Sequence, residues 1–220
     1  MFKKLLMAFM ALTALTAFAL PATASAKNEP TLMEGATHVP VGATIVGTNE
    51  GETTLTNTLG EGLVHCTKAT MTGTVTKNSG DTVEGTIATS TWSGTGTSGD
   101  CTGSFGPIKV TVPPLCIKSN STMATDEFQI YADNCSSNLQ FTLDVTGVGS
   151  CVYEATAGGV KGDFTTNNDK AKLTVRNTQA GSGSKKLSGS FLCPSSGMLK
   201  MTFNLATSNG TAVTIVDTTP

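Results

Sequence analysis

Apolar and polar residues alternate with a period of two along most of this chain. In residues 139–145, 171–175 and 199–205 every second side chain is apolar, and residues 71–75 follow the same pattern around a central glycine. Alternation of this kind is typical of strands with one buried face and one face in water. Threonine, whose branched Cβ suits a pleated surface, occurs 39 times and strengthens the prediction of strands.

Turn signals separate the alternating runs. Residues 78–81 and 208–210 each lie between two runs, and their Asn and Gly residues tolerate the positive φ of tight hairpins. Short strands joined by such turns, with no helical pattern after residue 26, predict an all-β fold. We expect an antiparallel β-sandwich, or a jelly-roll or barrel-like structure, of roughly 12 to 15 strands. Residues 41–220 are interpreted as a single domain, with a boundary between halves near Pro113 and Pro114.

An export signal is predicted over residues 1–26. Lys3 and Lys4 precede an apolar run over residues 5–20, and Ala24 and Ala26 form the small-residue pattern that signal peptidase recognises. The run is shorter than the roughly 20 residues that span a bilayer, which favours a cleaved signal over a membrane anchor. We therefore expect a bacterial protein that is secreted or otherwise extracytoplasmic, in the periplasm, at the cell surface or in the medium. Residues 27–40 are predicted to form a flexible leader.

The mature chain carries little charge. Removal of Lys3 and Lys4 with the signal leaves 12 of the 14 basic residues against 16 acidic residues, a net charge of −4. Nucleic acids and anionic membranes attract clustered Lys and Arg, so neither is a predicted partner. No later segment is apolar enough to form a spanning helix, and no cofactor is predicted.

Six cysteines follow the export signal, and none lies inside it. They are Cys66, Cys101, Cys116, Cys135, Cys151 and Cys193. An even number in an exported chain predicts three disulfides. Sequence alone does not choose among the fifteen pairings, but the spacing favours neighbours: Cys66–Cys101, Cys116–Cys135 and Cys151–Cys193. No two cysteines have the close spacing of a zinc site, so no metal is predicted.

Residues suited to catalysis are sparse. A Ser/His/Asp triad needs a histidine as base, and the two histidines are His38, in the leader, and His65, on a predicted strand. Glycoside hydrolysis needs two carboxylates that face each other. The acidic candidates fall on outward strand positions or in turns and are interpreted as surface charge: Glu84, Glu127, Asp144, Glu154 and Asp163. We predict no catalytic residue and no enzymatic activity.

Trp92, Tyr153 and Glu154 form the candidate ligand surface. Carbohydrate binding on a β-sandwich would use exposed flat aromatic side chains, and the alternation around Trp92 places it on an outer face. A bulge at residues 90–93 would instead return it to the core, where a lone tryptophan commonly lies. Glu154 adjoins an aromatic residue, Tyr153, in the sequence.

Residues 145–153 (VTGVGSCVY) and 190–197 (SFLCPSSG), with the earlier segments 66–68 and 73–75, resemble a group of exported, β-rich, disulfide-containing bacterial proteins of unknown function. The resemblance covers most of the mature chain, and its motifs are structural. It implies an envelope or extracellular location and disulfides between neighbouring cysteines. It implies no activity.

These observations predict a secreted or cell-surface protein with a structural or binding role and no enzymatic activity. One alternative is a carbohydrate-binding or hydrolase-like jelly-roll module, which requires Trp92 to be exposed beside a groove. A second alternative is an outer-membrane-associated β-protein, which requires girdles of lipid-facing aromatic residues. The partner is not identified, and an extracellular glycan or an envelope protein fits the predicted location.

Overall fold

The structure, a computed structural model, describes residues 30–57, 62–95, 99–120, 123, 126–156, 160–167, 170–176 and 183–217. Within these residues the regular structure is almost entirely β, with eighteen strands and no α-helix. The predicted all-β class is thereby confirmed. The predicted signal peptide, residues 1–26, lies outside the described residues. None of the described segments forms a helix that could span a membrane.

The strands are numbered in chain order. They are β1 Pro30–Glu34, β2 Thr37–His38, β3 Thr44–Asn49, β4 Thr53–Thr56, β5 Gly62–Cys66, β6 Lys68–Ser79, β7 Thr82–Ser93, β8 Cys101–Gly103, β9 Gly106–Thr111, β10 Leu115–Asn120, β11 Glu127–Ala132, β12 Gln140–Val145, β13 Gly149–Ala155, β14 Val160–Asn167, β15 Lys170–Val175, β16 Gly183–Gly189, β17 Ser196–Thr207 and β18 Thr214–Asp217. Their number exceeds the prediction because strands of two or three residues, such as β2 and β8, are too short to show alternation.

Eight antiparallel strands pair in a closed ring, here called the first barrel. In ring order they are β3, β6, β7, β10, β11, β14, β15 and β17. The pairings of β17 with β15 and with β3 close the ring. Met201, Phe203 and Leu205 of β17 are buried and the residues between them are more exposed. The alternation seen in the sequence therefore sorts side chains between the barrel interior and water.

A second closed ring of eight strands, the second barrel, shares β17 with the first. Its other members are β4, β5, β8, β9, β12, β13 and β16. Residues 196–200 of β17 pair with β16 and β4, and residues 201–207 pair with strands of the first barrel. Each barrel contains its own hydrophobic cluster. Trp92, Val112 and Leu199 pack against both clusters and mark the junction.

The chain visits the two barrels alternately, mostly one strand pair at a time. After β3 of the first barrel come β4–β5 in the second, β6–β7 in the first, β8–β9 in the second, β10–β11 in the first, β12–β13 in the second, β14–β15 in the first and β16 in the second. Pro113 and Pro114 lie in one of these crossings, between β9 and β10. Both barrels therefore contain strands from both sides of these prolines.

A small sheet of order β18-β1-β2 packs against the first barrel. Leu32, Val39 and Ile215 belong to the first barrel's hydrophobic cluster, and Val39 is only 1% exposed. The prediction of a flexible leader over residues 27–40 is therefore wrong for residues 30–39. Their order comes from distant partners, β18 and Asn78, which no local pattern could reveal. Residues 27–29 lie outside the described residues.

Three disulfides join the cysteines in the order that the spacing favours: Cys66–Cys101, Cys116–Cys135 and Cys151–Cys193. The first links β5 to β8, whose pairing in the described residues is the single bridge between His65 and Thr102. The bond therefore reinforces a seam with few hydrogen bonds. The other two tie β10 and β13 to residues in connecting loops. Three disulfides are typical of extracytoplasmic proteins.

Candidate functional site

Trp92 lies at the junction of the two barrels. Its ring meets the ring of Phe203 edge-on, with centroids 6.0 Å apart, and its Nε1 donates a hydrogen bond to Ser90 Oγ at 3.0 Å. The side chain is partly buried and packs against both hydrophobic clusters. This position does not offer the flat exposed face on which a sugar ring would stack.

Tyr153 and Glu154 are consecutive on β13 and point to opposite faces of the sheet. Tyr153 is buried, stacks on Phe141 at 5.5 Å, and donates its hydroxyl hydrogen to Pro194 O at 3.0 Å. Burial raises the pKa of Tyr153 to about 12. Lys185 Nζ lies 3.1 Å from the Glu154 carboxylate and holds the pKa of that group below its ordinary value. The predicted ligand residues therefore do not form one surface.

The five candidate carboxylates each have a partner close by. Glu127 and Asp163 are brought together, since they face each other across β11 and β14. Each of these two contacts its own cation, Lys161 at 2.9 Å and Arg176 respectively. The remaining three pairs are Glu84 with Lys77, Asp144 with Ser150, and Glu154 with Lys185. The arrangement is that of separate ion pairs and hydrogen bonds, each between one carboxylate and its own partner.

The histidines lie apart. His38 is exposed on β2, and His65 Nδ1 lies 3.4 Å from Glu52 Oε2 near the surface of the second barrel. These two positions do not contribute to a common site.

One group in the described residues has metal-ligand chemistry at short range: Glu84, Cys116 and Cys135. Both of its sulfur atoms belong to the Cys116–Cys135 disulfide. A disulfide sulfur is not the thiolate that binds a metal ion, so the group does not form a metal site.

The best candidate for a ligand site is a cavity of about 70 Å³ inside the first barrel. Its lining surface is almost entirely apolar, although Thr74, Glu84 and Thr86 also contribute to the lining. Three neighbouring strands place glycine on this lining: Gly47 on β3, Gly73 on β6 and Gly85 on β7. Because an eight-stranded barrel is just wide enough for side chains to fill, an inward position without a side chain can leave space.

Gly73 and Gly47 lack a side chain for different structural reasons. A Cβ on Gly73 would lie 2.4 Å from the carbonyl oxygen of Thr86, so the backbone itself excludes a side chain there. A Cβ on Gly47 would lie 3.5 Å from the nearest atom, in the side chain of Leu205, which is an ordinary contact. The first barrel therefore has room for a methyl group at position 47 that the sequence leaves unfilled.

A second cavity of about 60 Å³ lies at the junction of the barrels. Trp92, Phe141, Leu199 and Met201 contribute to its apolar lining, and Met71 lines both this cavity and the first. An apolar ligand in either cavity would bury apolar surface of the lining.

Sequence reasoning did not identify these cavities. The available signal was a glycine at an inward position of an alternating strand. Gly73, between the apolar residues Met71 and Val75, is an example. A glycine in a strand has several structural causes, including a bulge or a close backbone approach. Only the neighbouring side chains show which cause applies.

Comparison with protein-family models, with curated proteins and with solved structures finds no match to this chain. A function has to be inferred from the cavities and their lining.

Proposed function

We propose that this protein is exported from the cytoplasm, has no enzymatic activity, and binds an apolar ligand inside its barrels. The observation that carries the proposal is the apolar cavity of about 70 Å³ in the first barrel, together with room at Gly47 for a side chain. Eight-stranded barrels can hold one small ligand in the interior. Cores without such a role are filled to high density.

Two features support export. Residues 1–26 have the charged, apolar and small-residue regions of a secretory signal in order. The three disulfides form and persist in oxidising compartments. The intact mass of the protein recovered from the periplasm or the medium is expected to correspond to a chain that begins at Lys27, and a chain that still starts at Met1 would contradict export with cleavage.

A binding role without catalysis is supported by the pairing of the candidate carboxylates with their own partners. Glu84 contributes to the lining of the first cavity but lies 3.5 Å from Lys77 Nζ, and the other four do not line the cavities described. The candidate carboxylates contact their own cations or hydroxyl groups. Two of the cavity-lining residues are methionines, Met71 and Met201, whose unbranched side chains adapt to ligands of different shape. An apolar ligand would be held by exclusion of water rather than by directed polar contacts.

The test is a titration of the oxidised mature chain with hexanol, followed by NMR of isotope-labelled methionine methyl groups. Met71 and Met201 line the cavities, and Met33 and Met198 lie outside their linings and serve as internal controls. We expect saturable shifts of the Met71 and Met201 signals, a raised thermal midpoint, and small changes at the two controls.

Substitution at position 47 connects the binding to the first cavity. Gly47→Val would place a side chain in the cavity, and Gly47→Ala is the milder variant if valine strains the barrel. Both are expected to weaken hexanol binding at Met71 while the protein stays folded. Thr48→Val is the matched control, because Thr48 is exposed on the outer face of the same strand. Equal hexanol affinity in wild type and in a folded Gly47 variant, or no saturable shift in wild type, would refute the proposal.

A further inference from the structure

The end of the second barrel that lies away from the junction is built from loops that contact one another. Three loops in the described part of the chain meet there and are here called the barrel tip: residues 103–106, 146–148 and 190–195. Thr146 N donates a hydrogen bond to Pro107 O at 3.2 Å, which joins the first loop to the second. The Cys151–Cys193 disulfide joins the third loop to β13.

The barrel tip exposes large apolar side chains. Phe191 is 90% exposed, Phe105 is 53% exposed and Leu192 is 43% exposed. A small cavity of about 20 Å³ lies behind them, and its lining includes one residue from each loop at least, among them Phe105, Val148 and Leu192. The exposed side chains therefore belong to one apolar patch.

The loop that carries Phe191 is fastened to the barrel. Lys186 Nζ donates hydrogen bonds to the carbonyl oxygens of Ser190 and Cys193, at 3.3 Å and 3.0 Å. The hydroxyl group of Tyr153 donates to a further carbonyl oxygen of the same loop at 3.0 Å. A loop held in this way presents its apolar side chain to a partner with little further loss of conformational entropy.

The barrel tip and its flanks carry no charged residue apart from Lys186, whose ammonium group binds the loop's own carbonyl oxygens. Residues 103–107, 146–150 and 187–198 contain no Lys, Arg, Asp, Glu or His, although 14% of the whole chain is charged. Along β9 the first charged residue is Lys109, and Asp144 lies opposite it on β12. Three strand residues beyond Gly106, at the usual tilt of barrel strands, place Lys109 about 7 Å behind the tip.

The area of the patch argues against a second copy of the chain as its partner. The exposed fractions of the three side chains amount to roughly 350 Å² of apolar surface. A stable contact between proteins buries about 800 Å² on each partner and surrounds its apolar centre with polar groups. A lipid surface requires neither condition, because each apolar side chain that enters it contributes separately.

We infer that the barrel tip docks the protein on a neutral lipid surface, with Phe191, Phe105 and Leu192 inserted at the boundary between headgroups and acyl chains. Apolar groups at this boundary lie about 5–10 Å deep, which agrees with the depth at which Lys109 and Asp144 follow. Anionic lipids attract clusters of basic residues, and the tip has no such cluster. This inference is independent of ligand binding inside the barrels.

Flotation of the oxidised mature chain with phosphatidylcholine vesicles tests the inference. We expect the wild type to float with the vesicles equally at low and high salt, since apolar insertion is not screened. Phe191→Ser is expected to lower the partition coefficient at least about tenfold and to leave the fold intact, because this side chain is exposed. Val41→Ser is the matched control, since Val41 is 64% exposed on the loop that enters the first barrel at β3, and its partition coefficient is expected to stay unchanged.

A fluorescent side chain at the tip reports the orientation. Phe191→Trp keeps an aromatic ring there and is expected to bind the vesicles. Its additional emission is expected to be quenched by lipids that carry bromine on their acyl chains. The wild type contains one tryptophan, Trp92, which lies at the junction of the barrels and is not expected to be quenched.

The inference is overturned if the wild type does not float, or if Phe191→Ser floats as well as the wild type does. Binding confined to anionic vesicles and abolished by salt would also overturn it, because charge would then hold the protein on the lipid. A dimer in analytical sedimentation that Phe191→Ser dissociates, without any flotation, would identify a second copy as the partner instead. Hexanol binding inside the barrels is measured separately, so this inference and the proposed function can fail independently.

Discussion

Replacing Asn78 with alanine is expected to release residues 30–39 from the first barrel. Asn78 lies near the end of β6 and is only 6% exposed. Its Oδ1 accepts a hydrogen bond from Leu32 N, and its Nδ2 donates to Leu32 O and Val39 O, all at 2.8 Å. One buried amide thus satisfies three backbone groups of a segment that is about 40 residues distant in sequence.

The magnitude follows from these three bonds. A buried backbone group that loses its partner costs about 1–3 kcal/mol, so Asn78→Ala is expected to lower the free energy of unfolding by about 3 kcal/mol. The cost is limited because residues 30–39 can detach and regain hydrogen bonds to water. Asn78→Asp is expected to destabilise more than Asn78→Ala, since its carboxylate would face the carbonyl oxygens of Leu32 and Val39 without a donor.

The assay combines urea unfolding with amide hydrogen exchange. Asn134→Ala is the matched control, because Asn134 also makes three side-chain hydrogen bonds, but it is exposed and they are local, with residues 136 and 137. We expect a cost below about 1 kcal/mol for this control, and faster exchange in residues 30–39 only for the Asn78 variants. Equal costs for Asn78→Ala and Asn134→Ala, with unchanged exchange in residues 30–39, would refute the reasoning.

Two further predictions concern the disulfides and the buried tyrosine. Removal of Cys151–Cys193 by paired alanine substitutions is expected to lower the free energy of unfolding by about 4 kcal/mol, and removal of Cys116–Cys135 by about 3 kcal/mol. The difference follows from the sequence separations, which are 42 and 19 residues. The opposite order of the two costs in urea unfolding would contradict this reasoning. Since burial raises the pKa of Tyr153 to about 12 from about 10 in the unfolded chain, the folded state retains the proton and stability is expected to fall between about pH 10 and pH 12. Tyr153→Phe is expected to remove this part of the decline, and an unchanged pH profile of unfolding would count against it.

The strands that the sequence predicted best are those whose two faces differ locally. On β12, β15 and β17 the inward residues are apolar and the outward residues polar, so the pattern within one strand is sufficient. The pattern within residues 30–39 is not sufficient to predict their structure, because their order depends on β18 and on Asn78, both distant in sequence. The sequence places Asn78 in a turn, two residues before Gly80, but it lies in β6 and its side chain is buried. A sequence pattern does not distinguish an amide that favours a turn from one that binds a distant backbone.

The cavities could not be predicted for a related reason. Gly47 and Gly73 look alike in the sequence, since each lies in a strand-forming run and is followed by threonine. They differ only in what surrounds the absent Cβ, which is a backbone oxygen at Gly73 and an ordinary side-chain contact at Gly47. Whether a strand glycine is required by the backbone or leaves usable space is therefore a property of the packed barrel and not of the segment.

The existence of two barrels is likewise a long-range property, and it determines where the cavities lie. Turn signals predict which strands pair as hairpins, but they do not say which barrel a hairpin joins, and here consecutive pairs alternate between the two. The long hairpin β6–β7 belongs to the first barrel, yet it carries Met71 and Trp92 to the junction, where both line the second cavity. Strand β17 crosses the same junction and contributes Leu199 and Met201. Because these strands extend from one barrel toward the other, a side chain at the junction such as Met71 contributes to the linings of both cavities.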